Sequence, residues 1–240
     1  MNRSLTNTIR FVMDECLPPI IRDSRLFMYP FFLFAYRGRN VRTAMDFKKL
    51  VRGWGPDDYA DYYRNINTIS RNRETDLNGA CIRAMIDGMD PDAKTVLDVG
   101  CGNGYFLHQL EGRGLTLYGT DIVDKAKSKS FTWKQATVEN LPFEDKSIDV
   151  VTCSHVLEHI VDLPKAVAEL RRVARKQLMV VVPCQRWYFY TLDEHVNFFP
   201  YAEQLTSAIG LKDFTCRKLR GDWLYVGRPG SEPGSQEAQR

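Results

Sequence analysis

From Leu77 onward the chain alternates short apolar runs with amphipathic stretches. Thr95-Val-Leu-Asp-Val-Gly100 is an apolar run closed by glycine, the pattern of a buried strand. Leu115–Asp121, Phe131–Val138, Ser147–Cys153 and Leu178–Pro183 read the same way. Between them, Leu77–Met89, Tyr105–Glu111 and Pro164–Ala174 have helical spacing, with Pro164 suited to a first turn. Lys125–Ser130 reads as a stunted basic helix. Tyr201–Ile209 is a late helix stopped by Gly210, and Phe214–Leu219 with Trp223–Gly227 predicts a closing hairpin around a Gly-Asp turn. Strands alternating with helices predict an α/β protein, a doubly wound and mostly parallel sheet of seven strands ending in an antiparallel hairpin.

The first quarter breaks this pattern. Leu26–Tyr36 is eleven residues without a charge, six of them aromatic, interrupted by Pro30 and flanked by arginines. A membrane span needs about 20 apolar residues, so this run is too short. Two readings stay open: a hydrophobic lid or dimer contact, or contact with the headgroup level of a membrane, where aromatic and cationic side chains sit together. Residues 1–55 hold ten basic and four acidic residues, a net +6, whereas the whole chain is only +3. The expected organisation is therefore a basic–aromatic cap over 1–55, a helical lid and lead-in over 56–93, the α/β domain over 94–227, and a disordered Gly/Pro/Ser/Glu-rich tail over 228–240.

A chain of 240 residues with 44% hydrophobic and 26% charged residues is ordinary for a globular protein, and its balanced charge gives no reason to expect a nucleic-acid partner. The six cysteines are dispersed with no C-x-x-C pair, which disfavours a zinc ribbon or disulfide framework. Asp14 and Glu15 precede any apolar run, so no cleavable signal is read, and the expected location is the cytoplasm, with the inner membrane surface open to the cap.

The informative stretch is Asp98-Val-Gly100-Cys-Gly102-Asn-Gly104, three glycines at alternate positions between a strand and a helix. Such a turn lets the backbone approach a ligand at the carboxyl end of a parallel sheet. Tyr105 breaks the G-x-G-x-x-G spacing of dinucleotide enzymes, and no P-loop lysine follows. Asp121 ends the second predicted strand, where an acid can accept both hydroxyls of a ribose.

The segments Leu97–Gly104, Gly119-Thr-Asp121, Asn140-Leu-Pro-Phe143, Ile148-Asp-Val-Val, His155-Val-Leu-Glu-His159 and Leu170-Arg-Arg-Val173 together resemble the class I S-adenosylmethionine-dependent methyltransferases. The resemblance implies a Rossmann-like fold and S-adenosylmethionine as cofactor, with S-adenosylhomocysteine as product. It implies that Asp98 and the backbone at Gly100, Cys101, Gly102 and Gly104 line the methionine part, and that Asp121 holds the ribose. Ile122 would pack on the adenine, Thr137 and Val138 would meet its edge, and Ser154 and His155 would face the sulfonium. Many relatives carry Asp where this chain has Thr137. Leu17–Arg25 is in turn similar to methyltransferase-like proteins of bacterial surface-glycan clusters, which implies a small-molecule or glycan acceptor.

His195, beside Asp193 and Glu194 in the loop after the fifth strand, is the candidate general base, with His155 the alternative. Tyr62, Tyr63, Arg64 and Arg73 are candidates to close over the acceptor, and Trp187, Tyr188 and Tyr190 to stack on a sugar. His155-Val-Leu-Glu158-His159 also matches the H-x-x-E-H zinc-peptidase pattern, but Pro164 and the preceding strand fit a methyltransferase better, and no metal is expected. An NAD-dependent oxidoreductase, sharing the ribose acid, and a non-catalytic adapter that kept the cofactor pocket are the rival classes.

Overall fold

The computed structural model describes residues 12, 16–66, 73–123 and 128–230. The N-terminal part is helical: α1 (Pro19–Arg22), α2 (Arg25–Ala35), α3 (Val41–Leu50) and α4 (Pro56–Asn65), followed by α5 (Gly79–Asp87). The α2 helix starts at Ser24, whose hydroxyl accepts the Phe27 N–H. It continues through Pro30, where the sequence suggests a break. Proline removes one donor, and the orphaned carbonyl belongs to Leu26, a residue 87% exposed, where water can serve it.

The apolar run divides by helical face. Met28, Phe32, Ala35 and Tyr36, at helical spacing, are buried with Val41, Ala44 and Met45 of α3 and with Tyr188 and Tyr190 from the main body. Leu26, Tyr29, Leu33 and Phe34 are on the outside. Polar ties fix the same junction: Arg22 donates to the Trp187 carbonyl, the Phe189 N–H donates to Asp23, and Lys48 donates to the Tyr188 carbonyl. Burial holds the Lys48 ammonium down to about 7.

The α/β part follows the expected alternation: β1 (Thr95–Val99), α6 (Tyr105–His108), β2 (Thr116–Asp121), β3 (Thr132–Gln135), β4 (Ile148–Ser154), α7 (Leu163–Val173), β5 (Ala174–Pro183), α8 (Ala202–Ile209), β6 (Phe214–Leu219) and β7 (Asp222–Gly227). One seven-stranded sheet has the order β3-β2-β1-β4-β5-β7-β6. The first five strands are parallel to their neighbours, and β7 is antiparallel to both β5 and β6. Leu178–Val182 are fully buried, the signature of a strand covered on both faces. One core packs α7 and α8 against the sheet, and the other packs α5 and α6.

Some boundaries differ from the sequence reading. The third strand is only Thr132–Gln135, because Thr137 leaves the sheet to bridge Asn140. Residues 129 and 130 are bends, and residues 125–127 of the expected basic helix lie outside the described residues. The hairpin turn is Arg220–Gly221, with φ of 49° and 94°, so Asp222 belongs to β7 and not to the turn. Two left-handed residues match the right-handed twist of the flanking strands. The expected tail from 231 onward also lies outside the described residues.

Candidate active site

The sheet order reverses between β1 and β4, which opens a crevice at their carboxyl ends. The glycine turn enters this crevice. Gly100, Gly102 and Gly104 have φ of 73°, 54° and 77°, a region that L side chains rarely adopt. Their spatial reasons differ. A Cβ on Gly100 would lie 2.2 Å from a Val156 methyl, and one on Gly104 would lie 2.4 Å from the Phe131 ring. A Cβ on Gly102 would meet nothing within 4 Å, so the turn has one open side. Gly100 and Cys101 both donate to the Thr120 carbonyl, at 2.8 and 3.0 Å, which ties the turn to β2.

Asp121 organises the other wall. Its two carboxylate oxygens accept the Gly102 N–H at 2.9 Å and the Val123 N–H at 3.0 Å. Each oxygen keeps a further lone pair for a ligand hydroxyl. Asp98 is buried below the turn, where the Thr152 hydroxyl donates to it at 2.6 Å. Burial raises the Asp98 carboxyl to about 7, and the nearby charge of Asp121 adds to this. Burial likewise pushes the Cys101 thiol far up. The hydroxyls of Thr120 and Ser154, at the ends of β2 and β4, are buried and have no hydrogen-bond partner among the described residues. Such groups mark polar atoms that a ligand can satisfy. Ile122 and Thr137 are half-buried at the same end, whereas Val138 is packed in the core beneath. A crevice with a glycine turn, a diol-accepting carboxylate and unsatisfied hydroxyls fits an adenosyl cofactor.

Beside it is a second polar cluster. His155 leaves β4 with φ of 55°, an uncommon conformation for a residue with a side chain. Its Nδ1 meets Glu158 at 3.1 Å, and its Nε2 is 3.6 Å from Asp222. Burial opposes its charge, but the nearby Asp222 carboxyl and the hydrogen-bonded Glu158 outweigh it, lifting the imidazolium to about 10, while Nε2 itself has no hydrogen-bond partner among the described residues. The two carboxyl groups favour the protonated ring, which suits His155 to anchoring Glu158 more than to taking a proton. The H-x-x-E-H reading also changes. Leu157–His159 is a single 3₁₀ turn and not an α-helix, so His155 and His159 do not share a helical face.

His195 is brought to this turn from the loop after β5. Val196 and Asn197 donate their N–H groups to the Glu158 carbonyl, and the Asn197 amide donates to the carbonyls of Leu157 and Ile160. This clamp stacks His195 edge-on against His159, with 4.9 Å between ring centres. His195 is buried, and its Nδ1 lies 2.6 Å from the Gln185 amide oxygen. The α4 helix closes the remaining side: the Tyr59 hydroxyl donates to the His159 carbonyl, and the Tyr63 hydroxyl is 3.2 Å from His159 Nδ1. Tyr36 donates to Glu194, whose carboxyl is held up at about 8 by burial.

Of the expected closing residues, Tyr63 reaches the cluster, while Arg64 pairs with Asp61 and Arg73 with Asp76. Tyr188 and Tyr190 are buried against α2 and α3, which removes their ring faces from sugar stacking, and Trp187 stays exposed. Tyr36, Tyr59, Gln185 and Asp222 escape the sequence reading as site residues, and Glu194 enters it only as an acid beside His195. The one usable signal is acidic Asp222 at the head of an apolar strand, an unsupported position unless something inside needs a carboxylate.

Residues 97–182 match the family described as a methyltransferase domain. The chain is 31% identical over 120 residues to the ubiquinone biosynthesis O-methyltransferase of Nitrosomonas europaea, covering 45% of this chain and 48% of that protein. It is 34% identical over 96 residues to the 2-phytyl-1,4-naphtoquinone methyltransferase of Trichormus variabilis, covering 34% of this chain and 42% of that one. The chain thus spans about half the length, or less, of these curated relatives. It also superposes on one chain of a Haloferax volcanii complex containing the Trm112 methyltransferase activator, with a TM-score of 0.54 and 15% identity, over 75% of this chain and 97% of that one. That likeness shows the fold. The crevice at the β1–β4 switch and the matched segment agree, and residues 97–182 are a class I methyltransferase domain, the S-adenosylmethionine-dependent kind.

Proposed function

We propose that the protein transfers the methyl group of S-adenosylmethionine to a hydroxyl oxygen of an acceptor carried on a lipid. The observation that carries the cofactor half is Asp121, whose two oxygens already hold the mouth of the glycine turn at the switch of the sheet. When bound, the cofactor supplies a methyl on a sulfonium, open to in-line attack. Asp121 binds the ribose diol, the Gly100–Gly104 backbone holds the methionine part, and Asp98 faces its cation. Ile122 and Thr137 border the adenine. His195 serves as the proton acceptor: its Nδ1–H donates to Gln185, which leaves Nε2 with the lone pair. Orientation in a closed pocket supplies much of the rate gain in such a displacement.

The acceptor class rests on two supports. The relatives' names carry a quinone and a phytyl chain. The outer face of α2 presents Leu26, Tyr29, Leu33 and Phe34 beside basic residues, a surface suited to lipid headgroups. No helix among the described residues is long and apolar enough to cross a membrane, so contact would be peripheral. The test is transfer of radiolabelled methyl from S-adenosylmethionine to a phenolic acceptor with and without a prenyl tail, on anionic vesicles. Tail-dependent labelling that drops severalfold in Leu26→Ser/Phe34→Ser is the expected result. Equal labelling of tailless acceptor by both proteins would refute the lipid-borne acceptor, and labelling of none would refute the O-methyl reading for this class.

Asp98 gives a pH dependence. Its carboxyl is raised in the folded chain, so its neutral form adds stability at low pH that is lost as pH rises through about 7. A bound cation favours the ionised form. Cofactor affinity should therefore increase as pH rises from 6 to 8, by about tenfold, since one pH unit of proton linkage is worth a factor of ten. Calorimetric titration checks this, and Asp98→Asn should flatten the profile.

A further inference from the structure

We propose that Glu158, His159 and His195 bind one divalent transition-metal ion next to the methyl-transfer site. The three side chains each offer a ligand atom, and these atoms lie within 4.8 Å of one another. Bonds of 2.0–2.1 Å to a tetrahedral ion put ligands about 3.4 Å apart, so small rotations of about 1 Å would close the set.

The surroundings prepare each ligand. Glu158 is buried, with one oxygen held by His155, while the other oxygen, Oε2, is buried without a hydrogen-bond partner. A carboxylate oxygen desolvated in this way calls for a cation or a donor. His159 Nδ1 lies 3.2 Å from both the Glu194 carbonyl, which can only accept, and the Tyr63 hydroxyl, which can accept; a proton on Nδ1 suits both contacts and leaves Nε2 the lone pair. Gln185 Nε2 donates to the Tyr188 hydroxyl, so the Gln185 oxygen faces His195 and fixes the same tautomer there. Metal-binding imidazoles use the same device, one nitrogen anchored to a carbonyl oxygen and the other turned to the ion. His155, held by Asp222, anchors Glu158 as a third outer contact.

Two imidazoles and one carboxylate favour Mn²⁺, Fe²⁺, Co²⁺ or Zn²⁺ over Mg²⁺ or Ca²⁺, which prefer all-oxygen sets. Three protein ligands leave positions open to an oxygen ligand. Once His195 Nε2 holds the ion it no longer takes the acceptor's proton; an acceptor hydroxyl on the ion would instead be acidified by it and lose its proton to solvent. That role rests on the O-methyl reading above; binding of the ion does not.

The test strips the full-length protein with a chelator and measures binding of Mn²⁺, Co²⁺ and Zn²⁺ by equilibrium dialysis with elemental analysis. One ion per chain is expected, with at least tenfold weaker binding in Glu158→Gln and in His195→Gln, each checked for folding by circular dichroism. Should those variants misfold, pulsed electron resonance of the Mn²⁺-loaded wild-type chain decides: coupling to imidazole nitrogen supports the site, and its absence overturns it. No saturable binding by the wild-type chain, or unchanged affinity in folded variants, also overturns it. Asp121→Ala should keep the ion while losing the adenosyl ligand. Ion binding by a wild-type chain that ignores S-adenosylmethionine would sink the methyltransferase reading and leave the metal site standing.

Discussion

Replacing Asp121 by alanine is expected to weaken S-adenosylmethionine binding by about a hundredfold, with the fold retained. Two hydrogen bonds from ribose hydroxyls to an ionised carboxylate contribute roughly 1.5 kcal/mol each at the low end, about 3 kcal/mol together. That is close to two decades in dissociation constant. The indirect loss has the same sign, because Gly102 and Val123 would lose the acceptor that holds their N–H groups. Asn at this position is a useful companion. It keeps one accepting oxygen but turns an amide N–H toward a backbone N–H, so it should behave much like alanine and not like wild type. Calorimetric titration with S-adenosylmethionine, beside a thermal melt of the free protein, separates the two effects. Unchanged affinity in either variant would remove Asp121 from the cofactor site and with it the support for the proposed chemistry.

The turn and Asp121 were legible in the sequence because both are local. Alternating glycines after a strand are forced by backbone geometry, and the acid closes the next strand, 19 residues after Gly102. The sheet was legible for a similar reason: strands covered on both faces need unbroken apolar runs, and helices between them need a periodic face. Pro30 misled because its one lost hydrogen bond is cheap at a helix surface. The histidine cluster was legible only in part. His155, His159 and His195 stand out as residue types, but their partners come from far along the chain. Tyr63 reaches His159 across 96 positions and Tyr36 reaches Glu194 across 158. Periodicity carries no record of such pairings, and they decide which side chains surround each ring. The sequence motif grouped His155 with His159, whereas the Asn197 clamp groups His159 with His195.

Gly100→Ala should be among the most destabilising single substitutions in the chain, and the reason can be split into two parts. The backbone there has φ of 73°, which costs a residue with a Cβ about 1–2 kcal/mol. The new methyl would also lie 2.2 Å from a Val156 methyl, far inside contact distance. Relieving such an overlap typically costs about 1–3 kcal/mol. A loss near 3 kcal/mol lowers the melting temperature of a chain this size by roughly 6–12 °C. Gly102→Ala is the internal control. Its φ is also positive, at 54°, but its Cβ would meet nothing within 4 Å, so only the backbone part applies. The double variant Gly100→Ala/Val156→Ala should then recover part of the loss, because the two sites share the contact and their effects cannot add. Equal destabilisation of Gly100→Ala and Gly102→Ala, with no rescue by Val156→Ala, would mean that the close packing of β1 against the Val156 turn does not hold the crevice in shape. If the rescue appears, that packing sets how far the glycine turn stands from the start of the Leu157–His159 turn. The cofactor crevice and the histidine cluster would then be positioned by the same contact.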